Sequence, residues 1–439
     1  MKYFFRKIAW NRQRAEWSSE RGFVFAAVAA AVGLGNIWRF PYIAGENGGG
    51  SFVFAYLLAV VLLGIPLMIL EINAGKTEHG SPVKTFRLLN KRAAFFGWFV
   101  VFLTVMIMSY YFAVTGWTLG FAVESYLGSS RSFAEFTDSY TSLFYFFLAL
   151  IVSALVVSKG VKTIEFLSKI MMPFLILIVI LLAGYSLSLD SASRALSFLF
   201  KPDFPSLGNL NVWFLAFGQA FYSLAVGQGY LITYGSFLPK KVNLPRAAGW
   251  VALVETSIAM LAGVIIFPIV FSFGLDPQEG TQLAFTTLPL IFKSIPFGAY
   301  LAMAFFTLFF LAAISSCIAG MEVVKTAFRE EFYLSHKKAT FWAFLPVTPL
   351  GFLSALSFTP VGFSLFGRPF LEVLDLFAAN QVVVASALIG GGIISWTVPK
   401  KSLIKGLDLK WRKPASLFIN IFRFMPVLAF ALLIISWVL

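Results

Sequence analysis

The 439-residue chain is poor in charge, cysteine and histidine. Only 12% of its residues are charged, against about a quarter in an ordinary soluble domain. Apolar runs near the length that spans a bilayer recur from end to end, and no soluble core would be large enough to hide them. The single cysteine, Cys317, excludes an intramolecular disulfide. The two histidines, His79 and His336, fall in polar connections and read as solvated loop residues, so no metal centre is expected. No nucleophile–base–orienter constellation is present, which argues against an enzyme. The first residues, MKYFFRKIAWNRQRAEW, lack an apolar core and a cleavage site and read as a cytoplasmic juxtamembrane segment, not a signal peptide.

Acidic residues are also scarce, 20 against 34 Lys and Arg, for a net charge of +14. Such a balance raises nucleic acid as a partner. The basic residues gather instead between apolar spans, which points to a membrane surface.

What is present is 59% hydrophobic sequence that divides into eleven spans. They lie near 22–44, 51–73, 93–127, 141–158, 164–188, 211–238, 246–274, 296–328, 339–357, 370–397 and 414–438. Alternate connections carry most of the Lys and Arg, among them Lys76, Lys84, Arg87, Lys159, Lys162, Lys169, Lys241, Arg329, Lys337 and Lys401. The positive-inside rule then places the N-terminus in the cytoplasm and the C-terminus outside.

Two spans are interrupted at membrane depth. Span one contains AVGLGN (Ala31–Asn36) and span six SLAVGQG (Ser223–Gly229). Glycine in either span alone reads as close helix packing. Interruptions at matching places in two five-helix halves point to a transport site. Unwound backbone in hydrocarbon needs partners, which an ion or a substrate can supply. A half-helix N-terminus favours a carboxylate, and freed carbonyls favour a hard cation. Glu71 and Glu255 also lie inside spans, where a carboxylate costs about 2.5–3.5 kcal/mol on insertion scales, so function is the default reading of each.

These residues resemble the neurotransmitter:sodium symporter family, in its prokaryotic amino-acid branch, which includes eleven-helix members. The resemblance rests on AVGLGNIWRFPYIAGENGGGSF (Ala31–Phe52), GIPLMILE (Gly64–Glu71), SYYFAVTGWTLGFA (Ser109–Ala122), GQAFYSLAVGQG (Gly218–Gly229), LAGVIIFP (Leu261–Pro268) and LAAISSCIAGMEV (Leu311–Val323). It implies an all-α polytopic membrane protein of two inverted five-helix repeats, about 22–188 and 211–397, plus an extra helix near 414–438. It implies sodium-coupled amino-acid symport by alternating access, with sodium, two ions by the family pattern, as the coupling ion and no other cofactor.

The same resemblance assigns residues. Substrate carboxylate would meet the backbone of Ala31, Val32, Gly33, Leu34 and Gly35 and the hydroxyl of Tyr111. The side chain would sit among Ile107, Tyr222, Ser223, Ala225, Gln228, Ser316, Cys317 and Gly320. A first sodium would be held by the Ala31 carbonyl, Asn36, Ser223 and Glu255. A second would take the carbonyls of Ala29, Val32 and Ala312 and the hydroxyls of Ser315 and Ser316. Arg39 and Asp375 would form an outer gate, and Arg14 and Glu330, with Trp17, an inner one. Glu71 would satisfy backbone donors at the break in span six.

Some positions depart from the family pattern. Gly33 stands where monoamine carriers have aspartate, which argues for an amino acid. Glu255 replaces an asparagine and Ala259 a chloride-site serine, although Tyr56, Gln219 and Ser223 keep polar groups. A fixed carboxylate beside sodium would make chloride dispensable. Gly320 and Gln228 replace bulkier residues and are expected to free volume for a large hydrophobic or aromatic side chain, its polar tip facing Gln228. In span five, Thr163 stands ten residues before Pro173, where a glycine often helps unwinding, with Gly160 slightly earlier. Two other readings stay open at this level: an amino-acid sensor without net transport, and an ion channel, against which the polar residues converge on two breaks and form no pore-lining ring. The expected partners are an amino acid, sodium and the bilayer of the cell membrane, with no nucleic acid and no obligatory protein partner.

Overall fold

The computed structural model describes residues 15–128, 131–239, 241–274, 283–294, 297–399, 419–420 and 423–424. Among the described residues the structure is all-α apart from one hairpin of two-residue strands, in which Ser364 pairs with Pro369 and Leu365 with Arg368. Its principal helices are α1 (Glu20–Ala31), α2 (Gly35–Glu46), α3 (Gly50–Glu78), α4 (Lys91–Tyr126), α5 (Thr141–Lys159) and α6 (Val161–Leu187). Two shorter pieces follow, α7 (Leu210–Ser223) and α8 (Tyr230–Gly235). The remainder are α9 (Leu244–Ser272), α10 (Gly298–Glu331), α11 (His336–Phe358) and α12 (Phe370–Thr397).

Among the described residues eight helices are long and apolar enough to cross a bilayer, and α1–α2, bent by 47°, forms a ninth crossing. The expected sixth span is the pair α7–α8, neither long enough alone. The expected eleventh span, 414–438, lies outside the described residues except at 419–420 and 423–424.

Side chains give these helices their ends. Ser19 accepts from the Gly22 N–H at the start of α1, and Asn243 and Ser335 cap α9 and α11 in the same way. The α6 helix runs unbroken through Thr163 and Pro173, so the break in that stretch falls just before it, at Gly160 (φ +87). His336, expected in a solvated loop, instead opens α11 and is half-buried against the Gly160 turn. His79 is exposed as expected.

The long α4 is the central pillar and packs against α10, α5 and α11. Small residues let backbones approach. A Cβ on Gly75 of α3 would lie 1.9 Å from the Ile232 carbonyl of α8, and one on Gly116 of α4 would lie 2.6 Å from the Phe146 amide of α5. The two interrupted spans are thereby held against a rigid frame, with their breaks facing each other near the centre.

Candidate substrate and ion site

Helix α1 ends at Ala31 because Val32 turns to extended backbone (φ −75, ψ 109). Regular backbone resumes at Leu34, so the break is narrower than the sequence run suggests. Gly33 has no room for a side chain: a Cβ would lie 2.1 Å from Tyr111 Oη and 2.4 Å from Ser316 Oγ. The Gly33 N–H donates to Asn36 Oδ1 (3.0 Å) and the Leu34 N–H to Tyr111 Oη (2.7 Å). Protein groups therefore already satisfy two of the amides expected to meet a carboxylate.

The second break, between α7 and α8, places Ala225, Gly227 and Gly229 at φ 56, 77 and 80. Its polar groups are held from three helices. Gly227 N–H donates to Glu71 Oε1 (2.8 Å), the Gly227 carbonyl accepts from Ser386 Oγ (2.6 Å), and the Gln228 carbonyl accepts from Thr104 Oγ1 (2.7 Å). This meets the demand that buried backbone be paired.

Three of the four residues expected at the first cation site form one cluster. Asn36 Nδ2 donates to Glu255 Oε1 (2.6 Å) and to the Glu255 carbonyl (3.0 Å), and Ser223 Oγ donates to the same Oε1. Glu255 Oε2 accepts from Thr256 Oγ1 (3.1 Å). Glu255 and Ala259 are both fully buried. Gln219 does not point here as a free group: it donates to the Gly35 carbonyl (2.6 Å) and accepts from Arg39.

The second expected set also converges, apart from Ala29, whose carbonyl has no described side-chain partner. Ser316 Oγ reaches the carbonyls of Ala30 (3.0 Å), Val32 (3.3 Å) and Ala312 (3.3 Å), and Ser315 Oγ reaches Ala312 (2.9 Å). The Ser316 hydroxyl thus bridges the frayed end of α1 to α10, among oxygens of the kind a hard cation takes as ligands.

Between the clusters lies a narrow cavity. Of the residues expected to hold substrate, Ala31, Gly35, Tyr111, Tyr222, Ser223, Ala225, Gln228 and Ser316 line it. Val32, Gly33, Leu34, Ile107, Cys317 and Gly320 do not. Cys317 instead packs its sulfur 3.3 Å from Thr115 Oγ1. Two corrections follow for the expected volume. Gly320 opens no space, because Met108 Sδ and Tyr230 Oη occupy the place its Cβ would take, at 2.4 and 2.5 Å. Gln228 turns its amide back to the carbonyls of Tyr222 (3.0 Å) and Phe221 (3.4 Å), capping α7. Sequence reasoning missed Tyr230 and Ala30 as lining residues. Tyr230 directly follows the GQG run, and that adjacency was the only signal.

Buried polar networks flank the cavity. On the face away from Trp17, Arg39 is wholly buried. Its guanidinium donates to Gln219 Oε1 (2.5 Å) and Asn380 Oδ1 and lies over the Tyr222 ring at 5.1 Å. Asp375 is 3.7 Å from Arg39 Nε and accepts from Tyr42 Oη (3.0 Å). The expected pair is therefore brought together, but its hydrogen bonds run to Gln219, Asn380 and Tyr42.

On the opposite face the Trp17 indole donates to the Tyr234 carbonyl (2.9 Å), and its backbone N–H donates to Phe237 (2.9 Å). Glu330 accepts from the Ser81 N–H (2.7 Å). Arg14 lies outside the described residues. A latch absent from the sequence expectation stands beside them. Glu165 Oε2 of α6 accepts from the Ser18 N–H (3.0 Å) and Oγ (3.1 Å), and Glu165 Oε1 pairs with Lys169 (2.7 Å). Glu165→Ala should lower the melting temperature in detergent by a few degrees, since hydrogen bonds to a charged group contribute about 1.5–3 kcal/mol each and half-exposed Lys169 adds little. Glu165→Gln, which keeps an acceptor for Ser18, should lose less; equal melting of Glu165→Ala and the parent protein would refute the latch.

Paired broken helices around a buried polar cavity in a helical bundle define a membrane transporter site. Comparison with known proteins places it further. The model of the sodium:neurotransmitter symporter family matches residues 14–142 and 138–439. The uncharacterized sodium-dependent transporter YhdH of Bacillus subtilis is 35% identical over 410 residues, covering 90% of each chain. An insect relative, the sodium-dependent nutrient amino acid transporter 1 of Drosophila grimshawi, is 26% identical over 97% of this chain and 77% of its own. The crystal structure of MhsT in complex with L-phenylalanine superposes with a TM-score of 0.90 at 36% identity, covering 97% of this chain and all of the other. The chain belongs to the sodium:neurotransmitter symporter family, an all-α, polytopic, sodium-dependent class of membrane transporter.

Proposed function

We propose that the protein carries a neutral, large hydrophobic or aromatic amino acid across the cell membrane together with sodium, by alternating access and without chloride. The observation that carries this reading is the buried cluster of Asn36, Ser223 and Glu255 at the break of α1. A buried carboxylate whose described hydrogen-bonding partners are all neutral, held beside the frayed end of α1, favours a cation as ligand. Sodium supplies that charge, and Glu255 supplies the negative charge that chloride provides in other carriers. A second sodium would sit where Ser316 meets the frayed carbonyls of α1, with Ser315 beside it on α10.

The amino-acid substrate is supported by Gly33, which leaves no side-chain carboxylate to pair with a bare amine, and by the L-phenylalanine complex of MhsT. In this reading the networks around Arg39 and around Trp17 would open in turn to the two sides of the membrane. The two halves, about 22–188 and 211–397, would rock against each other, with the N-terminus cytoplasmic and the C-terminus outside.

The test is uptake of labelled amino acids into proteoliposomes driven by an inward sodium gradient. Large neutral amino acids should accumulate, and replacing chloride by gluconate should change the initial rate by less than about twofold. Loss of uptake in gluconate would refute chloride independence. Binding without accumulation would turn the reading to a sensor.

A further inference from the structure

The far end of the cavity holds a hydroxyl with a poor partner. Tyr230 is the first residue of α8, directly after Gly229 (φ +80), and is 3% exposed. Tyr230 lines the cavity, and its Oη donates to Met108 Sδ at 3.8 Å. A thioether is a weak acceptor, and a phenol buried in a membrane bundle ordinarily finds an oxygen at about 2.7–2.8 Å. Gln228, the other polar side chain at this end, directs its amide N–H groups to two carbonyls of α7. Met108 and Tyr230 together fill the hollow that Gly320 leaves. Met108 is unbranched and has three rotatable bonds, so it is the group that can leave this hollow when a longer side chain enters.

We propose that Tyr230 determines specificity by hydrogen-bonding a polar atom at the tip of the substrate side chain, while Met108 swings aside to admit it. This deepens the amino-acid reading above and rests on it. The ligand class it selects is a long, flat or aromatic side chain ending in one hydroxyl or N–H, with tyrosine the simplest case. A phenol can donate or accept, so it serves either kind of tip. Bringing such a tip to Tyr230 exchanges a weak sulfur contact for an oxygen or nitrogen partner. A tipless side chain of the same shape leaves the hydroxyl as poorly partnered as before.

The experiment measures competition by tyrosine and by phenylalanine against uptake of labelled phenylalanine into proteoliposomes under an inward sodium gradient, for the parent protein and for Tyr230→Phe. The two ligands differ by one hydroxyl, so the ratio of their inhibition constants is the readout, and phenylalanine serves as the internal reference for folding. The parent protein should favour tyrosine by about tenfold, the size of one net hydrogen bond, and Tyr230→Phe should bring the ratio near one. Met108→Ala should improve both ligands together and leave the ratio in place. A ratio that Tyr230→Phe does not change, or a parent protein that favours phenylalanine, would overturn the proposal. If no amino acid competes or accumulates with the parent protein, the amino-acid reading itself has failed, a separate outcome.

Discussion

Glu255→Gln should reduce sodium-driven uptake in chloride-free buffer by roughly two to three orders of magnitude. The carboxylate is wholly buried and takes hydrogen bonds from Asn36, Ser223 and Thr256. The amide is nearly the same size and keeps an acceptor for Ser223 and Asn36, so the fold should survive. What disappears is the charge. Unit charges about 4 Å apart interact by about 4 kcal/mol at an effective dielectric constant of 20, which corresponds to roughly a thousandfold in binding. Sodium titration of substrate binding checks this directly: the midpoint should move beyond reachable concentrations. A companion variant separates charge from geometry. Glu255→Asn combined with Ala259→Ser recreates the polar groups of chloride-dependent carriers, and its uptake should rise when chloride is added. A Glu255→Gln protein within twofold of the parent at equal sodium would remove Glu255 from the ion site.

Gly227→Ala should abolish both transport and a cooperative melt. Gly227 sits at φ +77, where an L side chain costs about 1–2 kcal/mol. Its new Cβ would meet the backbone of Ala387 on α12, 2.6 Å from the nitrogen and 2.8 Å from Cα. Backbone in a packed span cannot step aside as a flexible side-chain end does. Any shift that relieves the clash pulls the Gly227 N–H off Glu71 and its carbonyl off Ser386, each loss leaving a buried polar group at about 1–3 kcal/mol. Glu71→Gln keeps an acceptor at the same place and should retain a clear melt. Gly184, whose Cβ meets nothing within 4 Å, provides the control: Gly184→Ala should be silent. A Gly227→Ala protein that melts and transports like the parent would show that the break can repack.

The broken spans were legible in the sequence because hydrocarbon punishes irregular backbone so strongly that glycine pairs at membrane depth demand a reason. The buried carboxylates were legible on the same ground, and Glu71 and Glu255 are both found against a break. The details that failed depend on which way side chains turn. Gln228 looked like a polar group for substrate and is instead a cap for α7. Gly320 looked like added volume, but Met108 and Tyr230 close over it from two other helices. Glu165 drew no expectation from the sequence, because its partner Ser18 is distant along the chain and apposed only by folding. Span periodicity carries no information on such cross-helix choices.

The buried setting of Arg39 has one more consequence. Its guanidinium closes one face through the side-chain amides of Gln219 and Asn380, with Asp375 at 3.7 Å and all of them out of contact with water. Mobile ions screen exposed charges beyond about 8 Å at physiological ionic strength but scarcely reach such a site. The opposite face is latched partly by charges that solvent touches, Lys162 and Lys169 on Glu165 and Arg87 on Glu331. On the alternating-access reading, added salt is therefore expected to weaken the face beside Trp17 slightly and the Arg39 face scarcely at all, because half-exposed ion pairs contribute little and buried ones are hardly screened.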